Sequence, residues 1–108
     1  MSYRNATLIC LSGRYAGHSY PIGNGLIIGT DPTVCNLVLP AGVGGISRNH
    51  CKLTCDARSG MFVLHDMGST NGTYLENGQR IYQGSPFAIH SGSRFYLANR
   101  VNCFEVRY

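Results

Sequence analysis

Three features of the 108-residue sequence predict an all-β fold, a sandwich or barrel of about eleven short strands. Fourteen glycines against four prolines imply many tight turns rather than long helices. Short β-favouring runs recur along the chain, separated by Gly, Asn, Asp, Pro or Ser. Within several runs, apolar and polar residues alternate with the period that sends successive side chains to opposite faces of a sheet. No window holds a helical period, and no internal repeat or low-complexity tract breaks the pattern.

The expected strands follow in order. ATLICLS (6–12) stops at Gly13, HSYPI (18–22) runs between Gly17 and Gly23, and LIIG (26–29) follows Gly25. NLVL (36–39) ends at Pro40. HCKLTC (50–55) places Cys51, Leu53 and Cys55 on a core face against His50, Lys52 and Thr54 on a solvent face. MFVLHD (61–66) comes next, then TYLE (73–76) and QRIY (79–82). Between those two lies Asn77-Gly78, the pair that best supplies positive φ at both centres of a type I′ turn, so a tight hairpin is expected over 73–82. PFAIH (86–90) and RFYLA (94–98) lead to CFEVRY (103–108), where Phe104, Val106 and Tyr108 face the core and Cys103, Glu105 and Arg107 face solvent.

The length suits one domain over residues 1–108, with a core that hides roughly 65% of the unfolded surface. Starting at Met1 and ending inside the last expected strand at Tyr108, the chain reads as the N-terminal domain of a longer protein. Nine Lys and Arg against five Asp and Glu give a net charge of +4, a mild bias toward acidic partners. In sequence the cations are scattered singly, from Arg4 to Arg107, without the stripe that marks nucleic-acid binders, so no nucleic-acid partner is expected. Cys10, Cys35, Cys51, Cys55 and Cys103 are an odd number without a regular framework, which reads as free thiols in a reducing, cytoplasmic setting. No apolar run approaches the roughly 18 residues of a spanning helix, and membrane insertion is not expected.

Polar residues collect in two turns, GVGGISRNH (42–50) and DMGSTNGT (66–73). Loops carried on a rigid sandwich are where recognition takes place. Taken alone, Ser47 is a serine capping its own loop, Asn71-Gly72 a turn dipeptide and Arg48 a solvated charge. Ser47, His50 and Asp66 have the residue types of a hydrolytic triad but no G-x-S-x-G elbow, so no catalytic residues are assigned. His50, Cys51, Cys55 and His65 lack a second pair at ligand spacing, and strand alternation sends His50 and Cys51 to opposite faces, so neither metal nor cofactor is expected.

Several motifs together resemble the forkhead-associated domain, a β-sandwich that reads phosphothreonine. They are Ile28-Gly29 followed by Asp31-Pro32, the run Ser47-Arg48-Asn49-His50, the run from Asp66 through Gly68-Ser69-Thr70-Asn71-Gly72-Thr73, and Asn77-Gly78 with Arg80-Ile81. The resemblance implies two packed antiparallel sheets with ligand loops at one end and a non-catalytic module that binds a phosphothreonine-containing protein or peptide. It also implies roles. Ser47 matches the phosphate-contacting serine, Arg48 or Asn49 a second donor, Thr70 the lining of the phosphothreonine pocket, and Asn71 the amide that holds the peptide main chain. His50, Gly29 and Gly72 match structural positions. A phosphate dianion calls for such fixed donors around its oxygens.

One position departs from the pattern. The family usually has a phosphate-contacting arginine after the glycine, where this chain has Thr30. A charge-assisted hydrogen bond contributes roughly 1.5 to 3 kcal/mol, so its loss weakens binding by about ten- to a hundredfold. Three outcomes stay open: Arg48, Arg14 or Arg100 supplies the charge; the domain docks a partner without phosphate; or the fold persists and the site is lost.

Overall fold

The computed structural model describes residues 6–42 and 44–108; Arg4 lies outside them. Eleven strands run in chain order: β1 Thr7–Cys10, β2 Ser19–Pro21, β3 Leu26–Gly29, β4 Leu37–Val38, β5 Cys51–Asp56, β6 Met61–Asp66, β7 Thr73–Leu75, β8 Arg80–Ile81, β9 Phe87–Ile89, β10 Arg94–Leu97 and β11 Cys103–Arg107. Each falls on an expected run: β3 and β6 coincide with theirs, β5 is shifted by one residue to end at Asp56, and the others are trimmed at one or both ends. Among the described residues, no helix is long and apolar enough to cross a membrane.

The strands form a six-stranded sheet, β2-β1-β11-β10-β7-β8, and a five-stranded sheet, β4-β3-β5-β6-β9. All pairings are antiparallel except β3 with β4, which run parallel, so the expectation of purely antiparallel sheets is corrected at that edge. The seven residues between them, 30–36, carry the chain back to the start of β3, so that Asn36 N–H donates to the Ile27 carbonyl and Ile27 N–H to Asn36 Oδ1.

The core is the set of inward-facing residues that alternation selects. Leu8, Phe95, Leu97, Phe104 and Val106 from one sheet meet Ile28, Leu53, Phe62 and Leu64 from the other, all at most 1% exposed. Phe95 and Phe104, opposite each other across β10 and β11, stack with ring centroids 5.6 Å apart. Cys10 and Cys51 are buried, Cys35, Cys55 and Cys103 are not fully so, and all five thiols are free.

Two local expectations are corrected. Glu105 points to the outer face of its sheet yet is buried, because Arg94 and Arg107 close over its carboxylate; Arg94 Nε lies 2.9 Å from Glu105 Oε1, and Arg107 Nε bonds the other oxygen. The hydrogen bonds from Arg94 and then Arg107 hold that carboxyl below its ordinary range. The β7–β8 hairpin forms, but its turn is not type I′. Gly78 has φ +93° while Asn77 does not enter the left-handed region. Gly78 N–H bonds the Leu75 carbonyl, Leu75 N–H bonds the Gln79 carbonyl, and Asn77 Oδ1 accepts from Gln79 N–H. This is a type I turn followed by a glycine bulge, a three-residue loop that the Asx bond of Asn77 favours over the two-residue one.

Candidate functional site

The chain returns to one end of the sandwich between β3 and β4, β4 and β5, and β6 and β7, and a buried polar layer joins these loops. His50 lies immediately before β5. Strand alternation assigned it to the solvent face, but it is fully buried, because its ring turns down between two loops instead of following the pleat. Its Nδ1 accepts from Ser47 N–H at 3.0 Å, and its Nε2 therefore carries the proton and donates to the Gly72 carbonyl at 2.8 Å. That carbonyl also accepts from Ala98 N–H. Burial pushes the His50 pKa below its ordinary value, which keeps the ring neutral and the tautomer fixed.

Asp66, at the end of β6, gathers the next loop. Its carboxylate accepts from the Gly68 and Ser69 amides and from the Ser69 and Thr73 hydroxyls at 2.6 to 3.0 Å. Burial raises its pKa, and the four hydrogen bonds together outweigh that and leave it lowered. Ser69 Oγ in turn accepts from Gly72 N–H. Asp66 and Ser69 both belong to the motif read from the sequence, but neither was given a binding or structural role there. The legible signal was an Asx-type turn, an aspartate two and three residues before the amides it binds.

Two glycines are required by close approach. A Cβ on Gly29 would lie 2.1 Å from the Arg48 carbonyl oxygen, which Thr30 N–H, Asp31 N–H and Cys35 Sγ–H all approach as donors. A Cβ on Gly72, at φ +94°, would lie 2.8 Å from both Arg80 Nε and the Tyr74 hydroxyl. His50, Gly29 and Gly72 thus occupy frame positions in the loop end.

Above this frame lies an open groove of about 690 Å³, lined by Thr30, Ser47, Arg48, Asn49, Thr70 and Asn71 over a floor that includes Gly45, Ile46 and Gly68. It brings together all six candidate contact residues from three separate loops. Ser47 Oγ accepts from Thr70 N–H at 3.0 Å, which leaves its own proton without an acceptor among the described residues. Asn71 Nδ2 donates to the Gly45 carbonyl at 2.9 Å, and its Oδ1 has no partner among the described residues. Arg48 and Thr70 are exposed, Thr30 half-buried. Asn49 differs from the rest, since its Oδ1 is enclosed and has no hydrogen-bond partner. Arg48 is the only cation lining the groove among the described residues. Arg14 lines a different cavity, and Arg100 lies over the Tyr96 ring with Cζ 4.6 Å from its centroid.

No triad and no metal cluster arise here. Ser47 meets His50 through its backbone N–H, not its hydroxyl, so the imidazole does not activate that oxygen. Among the described residues, no three His, Cys, Asp or Glu side chains converge on a common point.

The FHA domain family model matches residues 26–98, which include every loop of the groove. The chain is 38% identical over 68 residues to the E3 ubiquitin-protein ligase CHFR of Danio rerio, 63% of this chain and 10% of that protein, so it spans about a tenth of that relative's length. The FHA domain of the CT664 protein from Chlamydia trachomatis superposes with a TM-score of 0.79 at 25% identity, covering 95% of this chain and 96% of that one. The MEK1 FHA domain in complex with a HOP1 phosphothreonine peptide superposes with a TM-score of 0.73 at 26% identity, covering 94% of each chain. With the two-sheet fold, the loop frame and the family match in agreement, this chain belongs to the FHA domain family, whose members are interaction modules.

Proposed function

We propose that the groove binds a protein segment carrying phosphothreonine, with Arg48 supplying the cation that Thr30 lacks. The observation that carries this reading is Arg48 itself, an exposed guanidinium between Ser47 and Asn49 on the wall of the groove. A phosphate beside it meets a delocalised charge with several donors, the unassigned proton of Ser47 and the hydroxyl of Thr30. Asn71 then holds the peptide main chain through Oδ1. The phosphothreonine-peptide complex of the MEK1 relative supports the ligand class. The five free thiols support a reducing, cytoplasmic setting, and the tenth of its CHFR relative's length that this chain spans supports reading it as the FHA module of a longer protein.

Fluorescence anisotropy with matched threonine and phosphothreonine peptide libraries tests the reading. The phosphorylated set binds more tightly, and Arg48→Gln weakens it about tenfold, the cost of one charge-assisted contact, without changing stability. Phosphate-dependent binding that ignores Arg48→Gln overturns the assignment of the charge. Thr30 favours a second reading, phosphate-independent docking, which predicts equal binding of both sets.

A further inference from the structure

We propose that the outer face of the six-stranded sheet is a second binding surface, for an extended acidic peptide segment. Arginines scattered along the sequence meet on this face. Arg80 on β8, Arg94 on β10, Arg107 on β11 and Arg100 from the β10–β11 loop stand against two carboxylates, Glu105 and Glu76, so the face holds half of the net charge of +4. Glu105 is shared by Arg94 and Arg107, and Glu76 lies near Arg94. Neither Arg80 nor Arg100 pairs with a carboxylate among the described residues.

Those two guanidiniums lie against aromatic rings instead, and Arg100 Nη2 also donates to the Glu76 carbonyl at 3.2 Å. Tyr74 and Tyr96, opposite each other on β7 and β10, stack at 5.0 Å and 12°. Arg100 covers the Tyr96 ring at 4.6 Å, while Arg80 lies 5.9 Å from the Tyr74 centroid and 5.2 Å from that of Tyr82. The result is a ladder, Tyr82–Arg80–Tyr74–Tyr96–Arg100, across the sheet. A stacked guanidinium has lost much of its rotamer freedom; Arg80 Nε is enclosed without a hydrogen-bond partner, and the terminal N–H groups are the donors left for carboxylates. Between Arg94 and Arg100 a depression of about 270 Å³, floored in part by Tyr96 and Leu11, gives a side chain room to enter.

The stack also decides between occupants. Sequence-tolerant binding of single-stranded nucleic acid needs free aromatic faces for the bases. Here Tyr74 lies between Tyr96 and Arg80, and Tyr96 between Tyr74 and Arg100, so those rings offer no free platform. What the surface presents is guanidinium N–H donors on neighbouring strands and one loop, which suit the carboxylates of an extended acidic chain. The surface adjoins the groove, since the Tyr74 hydroxyl donates to the Asn71 carbonyl, but its chemistry does not depend on phosphate reading there.

A labelled peptide of alternating glutamate and glycine, without threonine, tests this on the whole chain by anisotropy at low salt. The expected result is saturable binding that weakens about tenfold in the Arg80→Gln/Arg100→Gln double variant and is unchanged in Arg48→Gln. Amide chemical-shift changes in the unsubstituted protein fall on β7, β8 and β10, a readout that survives any folding defect of the double variant. Absence of binding, loss of binding in Arg48→Gln instead, or shifts confined to residues 45–49 overturns the proposal. Tighter binding of an oligodeoxythymidylate of equal charge through the same strands overturns the choice of occupant.

Discussion

The loop end is built in two layers that use polar groups in opposite ways. In the lower layer His50, Asp66, Ser69 and Thr73 are buried, and their hydrogen bonds are used within the fold, His50 tying the β4–β5 loop to Gly72 and the other three closing the β6–β7 loop on itself. In the upper layer Arg48, Thr70 and Asn71 are exposed, and Asn71 and Ser47 each keep a donor or acceptor uncommitted. Buried polar groups must be satisfied within the fold, because leaving one unpaired costs about 1 to 3 kcal/mol. Exposed ones lose little by waiting for a ligand. Substitutions below should therefore act on stability, and substitutions above on binding.

The largest expected effect lies in the lower layer. Asp66→Ala removes the acceptor of four donors, two of them buried hydroxyls, and should lower stability by about 3 kcal/mol in urea denaturation. A loss below about 1 kcal/mol would mean that the carboxylate is not the tie this contrast requires.

The upper layer responds the other way. Thr30→Arg should raise phosphothreonine-peptide affinity about tenfold while stability stays within about 0.5 kcal/mol. Unchanged affinity for phosphorylated and unphosphorylated peptides alike would favour docking without phosphate.

The smallest effect is the response to acid. The folded-state pKa of His50 is depressed by burial, so its stabilising contribution is full above the unfolded value of about 6.5 and fades as pH falls through the folded value. Asp66, also lowered, contributes above about 3.9 and loses that contribution at more acidic pH. Stability should therefore decline in two stages, the first shallow. His65, lowered by burial and then by Lys52, adds to the first stage with the same sign. Comparing thermal melts of the parent chain and His50→Gln between pH 7 and pH 5 isolates the His50 share; identical pH slopes would remove it.

Much of this architecture was legible because strands announce themselves locally. Short β-favouring runs, alternation as in CKLTC, and the Gly, Asn, Asp, Pro and Ser residues between runs located all eleven strands, and the inward residues of β5 and β11 were read correctly for Leu53, Phe104 and Val106. The failures occurred where a residue's surroundings come from another strand. Glu105 is buried by an arginine eleven residues earlier in the chain, and His50 by a carbonyl twenty-two residues later. The hairpin turn was misread because Asn-Gly suits both a two-residue and a bulged three-residue loop, and the register of β7 with β8 selects between them.

The sequence by itself determined the fold class, the family and the six residues that the groove brings together, since periodicity, turn chemistry and short motifs are properties of neighbouring residues. Only the tertiary structure decided that Arg48, rather than Arg14 or Arg100, stands at the groove beside Thr30, and that four dispersed arginines share one sheet face. The physical reason is strand pairing. It places residues far apart in the chain within reach of one another, and charge and stacking energies depend on that distance, not on separation in sequence.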